Sequence, residues 1–573
     1  MATGSLFSKR RQLIIFLILL FVISISNLFA QSSVQTDVPA LKDVFANDFT
    51  IGCLLSYAHI GFASDPYVPE QSSVVDPDGG YLIKHHMNSM SPGNWMKSTY
   101  IVDISGSAAA YSAASTQDEK DSIDVHPIVN FNGNIIAQLN WAQRQGFVFR
   151  GHTLIWHNQN PGTAFFRSGY TVDGTRLTKE QMTERMGNFI KEVIRIIHEG
   201  WPGLLVAMDV VNEAVSDNGT DRTSNNEYYT TFGDMSYVMK AFEFARQYTE
   251  QYGETQMKLY YNDYNTHISS KADGIVRVCQ PIYEAGYLDG IGMQDHDQYN
   301  SPTAAQWIAS YNKFYPICDE ISVTELDVKP SSNTLTTSVL TTQANQYAML
   351  FKCFLDRSYK SGRGKLINVS KDGLNDYWAF VDNASLWDAD NQCKPAYYEV
   401  VELAQNYYSL DSLILVADSL EESDYTPESW SEFSTVLSYA KDAMDDNYSY
   451  NNSAADALGD AKDSLKIKIE KLVVTDIIDL SSTNKINDFV LEQNYPNPFN
   501  PSTTIRFIIP ENSSVKVVIY NLVGSVIDEY NWNNLNVGTH EIRFNGSNYS
   551  SGIYFYKIKA GTFIDVKKMM LIK

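Results

Sequence analysis

The chain has 573 residues, more than one compact core usually organises, so several domains are expected. Its 67 acidic residues against 44 basic ones give a formal net charge of −23, which argues against a nucleic acid or an anionic membrane as partner, since both are held by clustered positive charge. An uncharged or basic ligand fits that balance.

At the N-terminus, Lys9, Arg10 and Arg11 precede the apolar run LIIFLILLFVI, and a polar break follows before NLFAQ. This is the layout of a secretory signal over residues 1–30, cleaved near Ala30. A stable membrane insertion needs about 20 apolar residues, and the run is interrupted before that. The cysteines, Cys53, Cys279, Cys318, Cys353 and Cys393, are scattered and odd in number, with no CxxC pair. They read as core thiols with room for one disulfide, and they lack zinc-ligand spacing. The pair His85-His86 has no accompanying ligand cluster and reads as structural.

Residues 37–408 alternate short apolar runs with longer segments of helical periodicity, the pattern of β/α units. Eight strands are expected: FTIGCLL (49–55), HMNSMS (86–91), FVFRGHTLIW (147–156), LLVAMDVVNE (204–213), KLYYNDYN (258–265), GIGMQDHD (290–297), ISVTELD (321–327) and LINVSKDGLND (366–376). Helices lie between them. In LTKEQMTERMGNFIKEVIRIIHEG, for example, Met182, Met186, Ile190, Ile194 and Ile197 recur at helical spacing and Gly200 closes the run. Eight strands with helical crossovers suggest a closed parallel barrel, whose ligand site lies at the C-terminal strand ends. Polar residues gather there: His152 and Trp156, Asn212 and Glu213, Asn262 and Asn265, Gln294 and His296, Glu325 and Asp327. Any one of them could be a cap or a solvated residue, but five strand ends together point to a site. Two of them, Glu213 and Glu325, suggest glycoside hydrolysis, in which one carboxylic acid protonates the leaving oxygen and a carboxylate faces the sugar carbon. The acid of such a pair must keep its proton near neutrality, which partial burial and a carboxylate neighbour favour.

The strings GHTLIWHNQ, DVVNEA, LYYNDYN, DGIGMQDH and VTELD, in this order, resemble the family 10 glycoside hydrolases, the retaining endo-1,4-β-xylanases. The resemblance implies an α/β (β/α)8 TIM barrel. It makes Glu213 the general acid/base with Asn212 beside it on the sugar 2-hydroxyl, and Glu325 the nucleophile, supported by Gln294, His296 and Asp327. It gives His152, Trp156 and Gln159 to the glycone sugars and Asn94 and Lys97 to the next sugar out, with Asn262 and Trp378 counted among the substrate contacts. No metal or organic cofactor is implied. The chain departs from the family pattern at Gly93, where a Glu is expected, at Met208 for a Trp, near Phe165 and Phe166, where a Trp is absent, and at Asp372-Gly373 in place of WG. Intact bond-breaking residues with a remodelled glycone pocket are the implication.

Residues 409–473 carry three helical runs, one starting at Thr426-Pro427-Glu428, and resemble a FIVAR-like module that serves as a spacer or a weak glycan binder. A linker is expected at 474–486. Residues 487–573, with NYPNPFNPSTTIRFIIP and the alternating VKVVIY and YFYKIK, read as a small β-sandwich and resemble the type A sorting domain of the bacterial type IX secretion system. The expected product is thus a secreted or surface-attached bacterial xylanase, exported through the periplasm, whose partners are xylan and the type IX machinery. The alternatives are a β-glycosidase for a differently substituted glycan and a catalytically weak surface glycan-binding protein.

Overall fold

The computed structural model describes residues 34–56, 59–60, 77–379, 381–445, 453–473, 489–521, 526–549, 552–561 and 563–571. The expected signal segment and the linker 474–486 lie outside them. The chain divides into two compact units, Met1–Tyr407 with Asp446–Ala457, and Tyr408–Asp445 with Leu458–Lys573.

In the first unit the strands are β1 (Thr50–Leu55), β2 (Ser89–Pro92), β3 (Val148–Trp156), β4 (Leu205–Asn212), β5 (Lys258–Asp263), β6 (Gly290–Met293), β7 (His296–Gln298), β8 (Glu320–Lys329) and β9 (Leu366–Lys371). All their pairings are parallel. The order β1-β2-β3-β4-β5-β6-β8-β9 returns to β1 through Thr50 opposite Asn368, so eight strands close the barrel. Both faces of such a strand are covered, and β4 accordingly buries seven of its eight residues. Outside the ring, the helix Lys179–Gly200 starts in a capping box between Thr178 and Gln181 and buries Met182, Met186, Ile190, Ile194 and Ile197, as its spacing requires.

Three strands differ from expectation. His86 closes the helix Pro77–His86 instead of opening β2, and its ring is buried against Trp387 and Tyr397. The sixth strand breaks at Gln294-Asp295, because Asp295 adopts φ 54° and its carboxylate accepts the indole N–H of Trp307 at 2.8 Å; the chain resumes as the short β7 on the far end of β8. The last strand ends at Lys371. Gly373 then turns the chain at φ 70°, where an added Cβ would lie 2.5 Å from the carbonyl oxygen of Trp378, so the loop folds back on itself only with glycine there. All five cysteines are free thiols.

The helix Pro395–Ala417 runs through the boundary expected at 408; it has no internal glycine or proline to end it there. In the second unit, the helix Pro427–Met444 buries Phe433 and Ala440, and Leu458, Ala461 and Leu465 of the helix Ala454–Glu470 are likewise buried. The C-terminal strands are β10 (Val490–Leu491), β11 (Ser502–Ile509), β12 (Ser513–Asn521), β13 (Val526–Leu535), β14 (Gly538–Asn545), β15 (Gly552–Ala560) and β16 (Phe563–Leu571). They form two antiparallel sheets, β10-β11-β14 and β13-β12-β15-β16. Alternate residues Ile505, Phe507 and Ile509 of one sheet and Val515, Val517 and Ile519 of the other share one apolar core, a β-sandwich. Among the described residues no helix is long and apolar enough to cross a membrane.

A Cβ at Gly292 would meet Asn262 Oδ1 at 2.3 Å and Arg150 Nη2 at 2.8 Å, both buried inside the barrel end. Gly292→Ala is therefore expected to cost about 1–3 kcal/mol by overpacking. Thermal unfolding checks this, and an unchanged midpoint would contradict it.

Candidate active site

A cavity of about 900 Å³ opens at the C-terminal strand ends. Its wall includes both glutamates together with His152, Trp156, Gln159, Gln294, His296, Asn94, Lys97 and Trp378.

Glu213 is the first residue beyond β4 and sits at φ 55°, a left-handed conformation that a side chain disfavours. Strain of this kind costs about 1–3 kcal/mol and persists where surrounding bonds over-determine it. Here they do. The Glu213 N–H donates to Asn262 O at 2.9 Å, and its carbonyl accepts from Arg222 Nε at 2.8 Å. The next two N–H groups, of Ala214 and Val215, donate to the Tyr261 hydroxyl at 3.0 and 3.2 Å. Tyr261 in turn donates to Asp263 at 2.6 Å, and Lys271 bridges Asp263 at 2.8 Å and Val215 O at 2.7 Å. Burial pushes the Asp263 carboxyl up to about 6, against the pull of Lys271. Within LYYNDYN, Tyr261 and Asp263 carry no site signal, because neither ends the expected strand 258–265 as a ligand-facing group would; Arg222 and Lys271, in the segments beyond β4 and β5, carry none either.

The carboxyl of Glu213 faces neutral donors. Trp156 Nε1 donates to Oε2 at 3.0 Å, and Gln294 Nε2 and Asn212 Nδ2 donate to Oε1 at 3.2 and 3.3 Å. Glu325, on β8, faces a different set: Asn262 Nδ2 donates to Oε1 at 2.9 Å, and His296 Nε2 lies 3.4 Å from Oε2. The other imidazole nitrogen is 3.0 Å from Asp327. Burial works against charge on both groups, but the reciprocal pairing wins. Glu325 is held down to about 2 by the His296 hydrogen bond, the charges of His152 and His296 and the Asn262 amide. His296 is held well above the ordinary histidine range by Asp327 and Glu325.

Three amides take positions other than those expected. Asn262 is fully buried: its Oδ1 accepts from Thr324 at 2.8 Å and its Nδ2 also reaches Asn212 Oδ1 at 3.1 Å, so it braces Glu325 and does not face the cavity. Asn212 is buried as well, its Oδ1 accepting from both Asn262 and Gln294. The Gln294 side chain reaches Glu213 and Asn212, and only its backbone oxygen serves Glu325, accepting from that residue's N–H at 3.0 Å.

On the opposite wall, Lys97 Nζ donates to Asn94 at 2.8 Å and Gln159 at 2.7 Å and lies 4.8 Å above the Trp156 ring. Burial lowers the Lys97 pKa, while the charges of Glu325, Glu213 and Asp372 oppose the shift. The acid in the middle of β4, Asp209, is buried between Arg150 and His152; it accepts from His152 Nδ1 at 2.8 Å, which leaves Nε2 for a ligand. Trp378 meets His59 edge to face at 4.9 Å. Tyr264, Trp95 and His59 also line the cavity and were not anticipated. Phe165 and Phe166 are fully buried and supply no sugar platform, and a Cβ at Gly93 would have only Leu55 O at 3.8 Å. His296, Asp327 and Asp372 bring potential ligand atoms within 4.8 Å of one another, but both imidazole nitrogens already face carboxylates, and a protonated ring is not a metal ligand.

Residues 40–403 match the model of glycosyl hydrolase family 10, and residues 493–573 match the secretion system C-terminal sorting domain, a mark of bacterial secretion or surface attachment. The chain is 31% identical over 383 residues to endo-1,4-β-xylanase Y of Acetivibrio thermocellus, covering 63% of this chain and 32% of that protein. It is 30% identical over 365 residues to the bifunctional endo-1,4-β-xylanase XylA of Ruminococcus flavefaciens, covering 63% and 34%. It thus spans about a third of the length of these two relatives. A crystal structure of the CBM22-1–GH10 modules of endo-1,4-β-D-xylanase 10B from Clostridium thermocellum, complexed with xylohexaose, aligns with a TM-score of 0.54 at 29% identity, over 64% of this chain and 67% of that one. The closed eight-stranded barrel, the paired strand-end glutamates and a family match over residues 40–403, more than half of the sequence, place this chain in glycosyl hydrolase family 10.

Proposed function

We propose that this protein is a retaining endo-1,4-β-xylanase, with Glu325 as nucleophile and Glu213 as general acid/base. The observation that carries the reading is the asymmetry of the two carboxyls. They share one cavity and one amide network, yet Glu325 is paired with His296 and kept ionised while Glu213 meets only uncharged donors. The relatives' xylanase names and the xylohexaose complex support xylan as substrate.

In the first step the Glu325 carboxylate attacks the anomeric carbon, the glycosidic bond breaks, and Glu213 gives its proton to the leaving oxygen. The product is a glycosyl ester on Glu325. In the second step Glu213 takes a proton from water, the hydroxyl adds to the anomeric carbon, and Glu325 departs as carboxylate. Trp156, Asn212 and Gln294 hold the Glu213 carboxyl through both proton transfers. His296, oriented by Asp327, keeps the leaving carboxylate charged. Asn94, Lys97, His152 and Gln159 offer polar groups to the glycone hydroxyls, with Trp156 and Trp378 as aromatic walls.

The sorting tail supports delivery to the cell exterior by type IX machinery. Residues 1–30 serve as the signal for the preceding passage into the periplasm, and the helices of 409–473 act as a FIVAR-like spacer.

Purified protein is expected to release reducing ends from xylan with the β-anomer as first product, and Glu325→Gln to lose at least about 10³-fold in kcat. Proton NMR of the nascent anomer checks the stereochemistry; an α-anomer rules out the double displacement.

A second expectation concerns acid. Since the Glu325 pKa is lower folded than its ordinary 4.5, the group contributes stability that is present above that value and is lost as pH falls through about 2. In a carbon-detected titration, Glu325 should stay ionised to about pH 2, and His296→Ala should move its midpoint upward. An unmoved midpoint would show that His296 does not hold the charge.

A further inference from the structure

Asp372 is the first residue beyond β9 and lines the cavity beside Gly373 and Trp378. It is 5% exposed, and among the described residues its carboxyl makes no hydrogen bond; only its backbone N–H is engaged, with Leu326 O at 3.1 Å. Its carboxyl oxygens open onto the cavity, where a ligand hydroxyl can reach them. Its carboxyl has ligand atoms of His296 and Asp327 within 4.8 Å, so it stands at the nucleophile's end of the cavity. The neighbouring charged groups are hydrogen-bonded elsewhere: His296 lies between Glu325 and Asp327, Lys97 donates to Asn94 and Gln159, and Lys371 donates to Tyr347.

We infer that Asp372 is a substrate-recognising residue, whose carboxyl hydrogen-bonds a hydroxyl of the β-1,4-linked sugar unit attached at Glu325 and thereby sets which glycone is accepted. The inference rests on the roles proposed for Glu213 and Glu325. Burial pushes Asp372 up to about 7, with His296 pulling down and Glu325 and Asp327 pushing further up. Near neutrality much of it is a neutral acid, which both donates to and accepts from a hydroxyl, as an asparagine would. Gly373 lets the loop turn back so that Trp378 and Ala379 also line the cavity beside this carboxyl.

The test uses the full chain with Asp372→Ala and Asp372→Asn, each compared with the native protein for kcat and KM on xylotetraose and for thermal midpoint. Asp372→Ala is expected to lower kcat/KM roughly 10- to 100-fold, the loss of one strong hydrogen bond, with the thermal midpoint retained. Asp372→Asn should restore most of that loss. Titration calorimetry of xylotetraose and cellotetraose, with Glu213→Gln as the common background, reads the contact without turnover. Asp372→Ala should weaken binding there by a similar factor, equally for both sugars if a ring hydroxyl is held and more for cellotetraose if the hydroxymethyl group is. Native-like binding by Asp372→Ala, equal damage by Ala and Asn, or no binding of either sugar overturns the inference. A native chain that binds a tetrasaccharide without cleaving it would instead end the hydrolase reading, while leaving Asp372 to be judged by the calorimetry.

Discussion

Everything at the site hangs from one buried chain of amides. Asn212 at the end of β4, Asn262 on β5 and Gln294 just past β6 bond to one another and, at either end, to Glu213 and Glu325. Parallel register makes the chain possible: Asn212 stands opposite Asn262, and Asn262 opposite Gly292. Because strand side chains alternate faces, a shift of one residue in either pairing would turn an amide away from its partners and leave a buried donor and acceptor bare. The absence of a side chain at position 292 is part of the same device, since that space is filled by the oxygen of Asn262. The two carboxyls are therefore set relative to each other by the barrel's own hydrogen-bond ladder, through groups that water does not reach.

That network explains placement, whereas charge has a second source. Around His296 lie Glu325, Asp327, Asp295, Asp297 and Asp372, too many carboxyls for one imidazolium and the nearby lysine. The structure resolves the excess by protonation. Burial lifts Asp295 and Asp372 to about 7 and Asp297 well above its ordinary value; both carboxylate oxygens of Asp297 are buried without a hydrogen bond among the described residues. Glu325 feels the same burial and goes the other way, because it alone of these has both the His296 nitrogen and an amide donor aimed at it. Within one acidic pocket, hydrogen bonding decides which acid keeps its charge.

Much of this was legible in the sequence. The apolar runs and the polar residues ending them gave the barrel and the two glutamates, since a strand covered on both faces leaves polar groups only at its mouth. What the sequence hid was direction. Asn212 and Asn262 read as sugar contacts and Gln294 as a support for Glu325, because a strand-end amide has no way of announcing whether it points into the cavity or sideways to its neighbour. The sixth strand read as continuous because nothing in GMQDHD marks Asp295 as the left-handed residue that Trp307, twelve positions on, holds in place. The support beneath Glu213 was invisible for the same reason: Arg222 and Lys271 act on backbone carbonyls, contacts that leave no pattern in composition or spacing.

The site thus has two halves under different constraints. The glutamates are fixed by strands and by side chains with few free bonding groups, so a change at Asn262 or Tyr261 disturbs several partners at once. The other half of the cavity wall is partly strand, where His152 and Trp156 are tied to Asp209 and Glu213, and partly loop, where Gly93 and Asp372 have few local ties. A Cβ at Gly93 would meet only Leu55 O, at 3.8 Å, and the carboxyl of Asp372 makes no hydrogen bond among the described residues. Substitution at such positions alters the cavity wall without moving the two carboxyls. A chain can in this way keep the paired strand-end glutamates while replacing an aromatic-glycine pair by Asp372-Gly373. The departure from the family sequence falls on the half of the site where the physical cost of change is least.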